Sequence, residues 1–159
     1  MSKNAIISVY DKKDLDIISK YLIKKNYTIY STGGTSDFLK KNNIPHIEIS
    51  KYTKQKEILG GRVKTLHPKI FGGLLGTKSA NHQKELQSEK IVNFDILIVN
   101  LYPFQETIKN TTKTNEIIEM IDIGGHSLIR AAIKNYSKTI PVVSPNAVSY
   151  THLTLPTKA

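Results

Sequence analysis

The chain has 159 residues, 39% of them hydrophobic, and carries a formal net charge of +10 with a pI near 9.7. That length fits one domain with a real core. No apolar run approaches the roughly 20 residues of a membrane-spanning helix, and the absence of cysteine excludes disulfides, thiolate metal sites and cysteine nucleophiles.

The first residues, MSKNAIISVYDKKD, lack the layout of a secretion signal, so a cytoplasmic protein is expected. Residues 4–10 (NAIISVY) read as a buried strand. Residues 14–25 set Leu15, Ile18 and Leu22 on one helical face, with Asp14 near the positive end of the helix dipole. Residues 27–31 (YTIYS) read as a second strand, followed by Thr32-Gly33-Gly34-Thr35 and a short helix through Phe38 and Leu39. His46 to Ile49 suggests a third strand. A glycine-rich basic loop follows over 60–73, then a helix near 80–90. Residues 94–101 (FDILIVNL) form the clearest strand, apolar on both faces as in a parallel sheet. Residues 115–121 read as helical, Gly124-Gly125 leads into a helix through Leu128, Ile129, Ala132 and Ile133, and 139–144 (TIPVVS) forms a last strand. Strands alternating with helices predict an α/β domain with a mainly parallel sheet.

In such folds ligands bind at the carboxyl ends of the strands. Tyr10-Asp11-Lys12, Thr32 to Thr35 and Asn100-Leu101-Tyr102-Pro103 all fall there. Thr32-Gly33-Gly34-Thr35 offers helix-start amides and hydroxyls to an anion, or simply a tight turn in which Thr35 caps the helix. Asn100 and Tyr102 could equally end a strand and pack. The loop from Gly60 to Gly73 sets Arg62, Lys64, His67 and Lys69 between two Gly-Gly pairs, a composition suited to close backbone approach to a ligand. Only two of the 23 Lys and Arg residues are arginine, Arg62 and Arg130. An arginine kept in so lysine-rich a chain points to bidentate contact with carboxylate or phosphate. Asp122-Ile123-Gly124-Gly125 precedes a helix carrying Arg130 and Lys134 at i and i+4; helix capping is the plain alternative for Asp122, and a solvated surface for Lys134. The five histidines lack metal-ligand spacing, so no metal site is expected. The charge calls for an anionic partner. The scattered lysines and missing nucleic-acid motifs favour a phosphorylated small molecule over nucleic acid.

The ordered set Ser8-Val9-Tyr10-Asp11-Lys12, Ser31 to Thr35, Gly61-Arg62-Val63-Lys64-Thr65-Leu66-His67-Pro68, Asn100-Leu101-Tyr102-Pro103-Phe104, Asp122 to Gly125 and Arg130 to Asn135 resembles the IMP cyclohydrolase domain. That domain is the N-terminal half of a bifunctional purine-biosynthesis protein whose other half is a transformylase. The resemblance covers residues 4–146 and implies a methylglyoxal-synthase-like fold in three α/β/α layers. It implies closure of 5-formamido-imidazole-4-carboxamide ribonucleotide (FAICAR) to inosine monophosphate (IMP) with loss of water, without a cofactor, in a homodimer. By resemblance Lys64, Tyr102, Asp122 and Lys134 are the catalytic set. Lys134 would move protons, Lys64 and Tyr102 would support the oxyanion, and Asp122 would orient the carboxamide. Substrate would bind on Tyr10, Asp11, Lys12, Thr32, Gly33, Gly34, Thr35, Arg62, Val63, Thr65, Asn100, Ile123 and Gly124.

Phe71 and His126 depart from the family pattern, and so does the tail over 147–159 (AVSYTHLTLPTKA), read as an assembly or cloning artefact with the transformylase half absent. Two alternatives share the fold expectation. A methylglyoxal synthase would use Asp11 or Asp122 as base on a triose phosphate; a regulatory nucleotide-binding domain would turn nothing over.

Overall fold

The structure is a computed structural model and describes residues 3–144. The expected domain end at 146 and the tail over 147–159 lie outside the described residues. In chain order the elements are β1 (Lys3–Val9), α1 (Leu15–Lys24), β2 (Tyr27–Ser31), α2 (Gly33–Lys41), β3 (Ile47–Glu48), α3 (Ile49–Thr53), α4 (Pro68–Leu75), α5 (Ala80–Ser88), β4 (Ile96–Asn100), α6 (Phe104–Asn110), α7 (Thr114–Glu119), α8 (Gly124–Lys134) and β5 (Ile140–Val142). A 3-10 turn, Leu59–Gly61, lies between α3 and α4.

The five strands pair in the order β3-β2-β1-β4-β5, and every pairing is parallel. Side chains alternate across each strand, and both faces of the sheet are covered. Ile6, Tyr30, Leu97 and Val99 face one core with Ile49 of α3, Ile70 and Leu74 of α4, and Leu128, Ala131 and Ala132 of α8. Ala5, Ile7, Ile29 and Ile98 face the other, with Leu15 and Leu22 of α1 and Leu39 of α2. The result is the expected three-layer α/β/α sandwich. The chain leaves β1 toward β2 and β3, then crosses back to β4 and β5, so the order reverses beside β1 where the carboxyl ends open a crevice. Among the described residues no helix is long and apolar enough to cross a membrane.

Four sequence expectations need correction. The loop expected over 60–73 ends at His67, because Pro68 to Leu75 is helical. Pro68 occupies the first turn, where its fixed φ suits a helix, and the His67 ring accepts a hydrogen bond from the Lys69 amide at 3.1 Å. Gly73 serves the core, not a ligand: a Cβ there would lie 2.4 Å from the Val92 carbonyl oxygen and 2.6 Å from the Phe94 ring. The glycines therefore let α4 press onto the segment entering β4. The third strand is only two residues long and passes directly into α3. Finally, α6 follows Pro103 where no helix was expected, and it buries no side chain.

Burial lowers the proton affinity of His67 below its ordinary value of 6.5, and the Lys69 charge adds to the shift. The folded state thus favours the neutral ring that caps α4. A depressed pKa means that the unfolded chain binds more protons, so this stabilisation is complete above about pH 6.5 and is lost as the pH falls toward the folded-state value. Thermal melts from pH 8 to 5 should show the wild type losing stability more steeply than His67→Asn, which keeps a capping acceptor but does not titrate. Parallel pH profiles would contradict this.

Candidate active site

A pocket of about 600 Å³, within the range of small-molecule sites, opens at the carboxyl ends of β1, β2 and β4. Each strand end delivers its polar motif there. After β1, Tyr10 and Lys12 enter the lining. Lys12 folds back so that its Nζ donates to the Tyr10 carbonyl at 2.8 Å. It also stands beside the first turn of α2, 3.8 Å from where a Cβ on Gly34 would be. After β2, Thr32 is the N-cap residue of α2 and the helix begins at Gly33. First-turn amides of an α-helix have no partner within the helix, which with Lys12 makes this corner attractive to an anion.

Two predicted ligand residues turn out to brace the crevice. Thr35 does not cap α2; its hydroxyl accepts from the Val9 amide at 3.0 Å and donates to the Val9 carbonyl at 3.1 Å, tying α2 to the end of β1. Asn100 ends β4, and its Oδ1 accepts from the amides of Tyr10 at 2.6 Å and Asp11 at 3.0 Å. Its Nδ2 donates to the Asp11 carbonyl at 2.8 Å. One side chain therefore fixes the turn that carries Tyr10 and Lys12. Tyr102 meets Tyr10 edge to face with ring centroids 5.4 Å apart.

The basic loop forms a tight hairpin. Ile58 and Val63 pair as an antiparallel bridge, and Leu59, Gly60 and Gly61 take φ of 54°, 64° and 87°. This turn projects Arg62 and Lys64 into the lining. Lys64 crosses Gly61 and reaches α2: its Nζ lies 3.4 Å from a Cβ position on Gly33, and its Cε 2.8 Å from one on Gly61. Thr65 is buried against the start of α8, its Oγ1 3.1 Å from a Cβ position on Gly124. From the other side Asp122, Ile123 and Gly124 complete the lining. Asp122 Oδ1 accepts from the Gly125 amide at 2.6 Å, so the residue braces the first turn of α8, as its plain alternative reading has it, and its second oxygen is left for other work.

Four predicted residues do not join the lining. Val63 is spent on the hairpin bridge, and Gly33 contributes backbone behind Lys64. Asp11 turns to the Lys13 amide at 3.0 Å. Lys134 ends α8 and is exposed; eleven residues of helix at about 1.5 Å each set it some 15 Å from Gly124. Sequence reasoning missed Glu119 of α7, which lines the pocket and pairs with Arg62. Its partner is 57 positions away, and nothing local signals such a contact. Among the described residues no group of three or more His, Asp or Glu gathers as a metal site would.

The MGS-like domain profile matches residues 15–127. The bifunctional purine biosynthesis protein PurH of Buchnera aphidicola from Schizaphis graminum is 52% identical over 89% of this chain and 27% of its own length. PurH of Fusobacterium nucleatum is 48% identical over 91% of this chain and 29% of its own length. The chain therefore spans little more than a quarter of the curated relatives it matches. A structure described as the crystal structure of ForH superposes with a TM-score of 0.82 over 95% of this chain and 78% of that one, at 24% identity, a likeness of fold.

Gly60 and Gly61 allow the hairpin to be tested. Alanine at either meets the strain of a positive φ, on the order of 1–2 kcal/mol. Nothing lies within 4 Å of a Cβ on Gly60, whereas one on Gly61 would displace Lys64. Urea denaturation should show both variants destabilised, while inorganic phosphate binding should weaken only in Gly61→Ala. Equal binding by the two would contradict the position assigned to Lys64.

Proposed function

The chain belongs to the MGS-like domain family, and on that premise we propose that its pocket is an IMP cyclohydrolase site, closing FAICAR to IMP with loss of water. The observation that carries the reading is the gathering of Lys64, Tyr102 and Asp122 in one pocket with the Lys12 and α2 corner. The naming of the PurH relatives as purine biosynthesis proteins supports it.

The nucleotide phosphate sits at Lys12 and the first-turn amides of α2, a cation beside the positive end of a helix. That anchor directs the imidazole toward Tyr102 and Asp122. The carboxamide nitrogen is a weak nucleophile, so holding it against the formyl carbon supplies much of the rate. As the C–N bond forms, negative charge develops on the formyl oxygen, and the Lys64 ammonium with the Tyr102 hydroxyl stabilises it. Asp122, held by its bond to the Gly125 amide, accepts the amide proton through its second oxygen. The oxyanion takes one proton from Lys64, and the resulting hydroxyl leaves as water with the proton returned by Asp122, while the formamido N–H proton passes back to Lys64 as the ring C=N forms. Lys64 takes the proton role expected of Lys134, since it lines the pocket and Lys134 does not.

The resemblance also implies a homodimer. The exposed Ile133 and Tyr136 beside Lys134 support a contact there, through which Lys134 would serve the pocket of a second copy. Cyclisation of FAICAR, followed by ultraviolet absorbance, tests the whole reading. Lys64→Ala and Asp122→Asn should each lower turnover by roughly 10²–10⁴ with unchanged thermal melts. Near-normal turnover in either would overturn the assignment. Loss in Lys134→Ala supports the contact between copies, and full activity confines the chemistry to one chain.

A further inference from the structure

Among the described residues three ion pairs join neighbours on one helix or turn: Lys20–Asp16, Lys51–Glu48 and Lys113–Glu116. Arg62–Glu119 is the one that joins distant elements, running from the basic hairpin to α7 across the pocket that both residues line. Both side chains remain more than half exposed, at 63% and 53%, so the pair is weak and open to competition. Little else holds α7. Neither α6 nor α7 buries a side chain, and the two pack chiefly on one another. Pro103 precedes them and Gly124-Gly125 follows.

We propose that Glu119 is a built-in competitor for Arg62, a carboxylate that occupies the guanidinium until a phosphate-bearing ligand displaces it, and that this exchange frees α7 when the phosphate binds. The proposal rests on the reading of the pocket as a nucleotide site. A carboxylate offers one negative charge, while a phosphate monoester near neutral pH carries about −1.5 to −2. Both match the planar fork of arginine, so a phosphate anchored at Lys12 and the start of α2 also takes Arg62 from the facing hairpin. Displacement removes the one ion pair that, among the described residues, ties α7 to another element, and the flap of α6 and α7 opens as the ligand enters. A neutral nucleoside cannot make the exchange and leaves the flap latched. The cost of displacing Glu119 falls on anionic ligands alone, and their added contact with Arg62 exceeds it.

Calorimetric titration of the wild type, Glu119→Gln, Arg62→Gln and the double variant with IMP, inosine and inorganic phosphate tests this, alongside amide hydrogen exchange over residues 113–121. Glu119→Gln should bind IMP and phosphate more tightly, by up to about five-fold for an exposed pair, and bind inosine no more tightly. Its α7 amides without ligand should exchange as fast as those of the wild type with IMP. The double variant should bind as Arg62→Gln does. Weaker IMP binding by Glu119→Gln would overturn the proposal, because Glu119 would then be orienting Arg62 for the ligand. Unchanged affinity would overturn it too. If IMP binds none of these proteins while phosphate still binds Glu119→Gln more tightly, the nucleotide reading fails and the competition stands.

Discussion

Strand β1 is hydrogen-bonded on both edges and covered on both faces, with Ala5, Ile6 and Ile7 fully buried. It has no surface left for chemistry except its ends. Because all its neighbours run parallel to it, the carboxyl ends of β1, β2 and β4 come out on one side of the sheet, and each carries a polar motif. The pocket follows from that direction of the strands. Lys12, the start of α2 and Tyr102 are far apart in sequence and adjacent only because the strands before them are parallel.

The crevice must then be kept in shape, and two side chains do this where a ligand contact was expected. Asn100 uses both ends of its amide on the turn after β1, and Thr35 locks α2 to Val9. Each satisfies backbone groups that the strand ends leave unpaired. The charged side chains sit instead on the hairpin, on α7 and in the turn before α8, where Lys64, Arg62, Glu119 and Asp122 project into the pocket. The fold thus divides the pocket into a braced half at the strand ends and a looser half across from it.

The same division explains what could be read in the sequence. β1, β2 and β4 were legible because alternate residues fill two cores, so the buried centre of each run is rich in Ile, Val and Tyr. The motifs at their ends were legible because polar residues and the Gly33-Gly34 pair follow directly on the apolar runs. The helix Pro68–Leu75 was misread because Gly72 and Gly73 resemble breakers. Their purpose, fitting beneath Ile91, Val92 and Phe94, depends on packing that periodicity does not reveal. α6 had no signal because it buries nothing. Glu119 was invisible because its partner lies in another element, and the distance of Lys134 from the pocket emerges only once α8 is known to be continuous from Gly124.

The central claim is that the nucleotide lies with its phosphate at the braced corner and its base at the looser one. A crystal structure of the chain with IMP bound tests this most directly. The account predicts phosphate oxygens within hydrogen-bonding distance of the Gly34 amide, Lys12 Nζ and the Arg62 guanidinium, with the purine beside Tyr102 and Asp122. A nucleotide bound in the reverse sense, or outside this pocket, would contradict it.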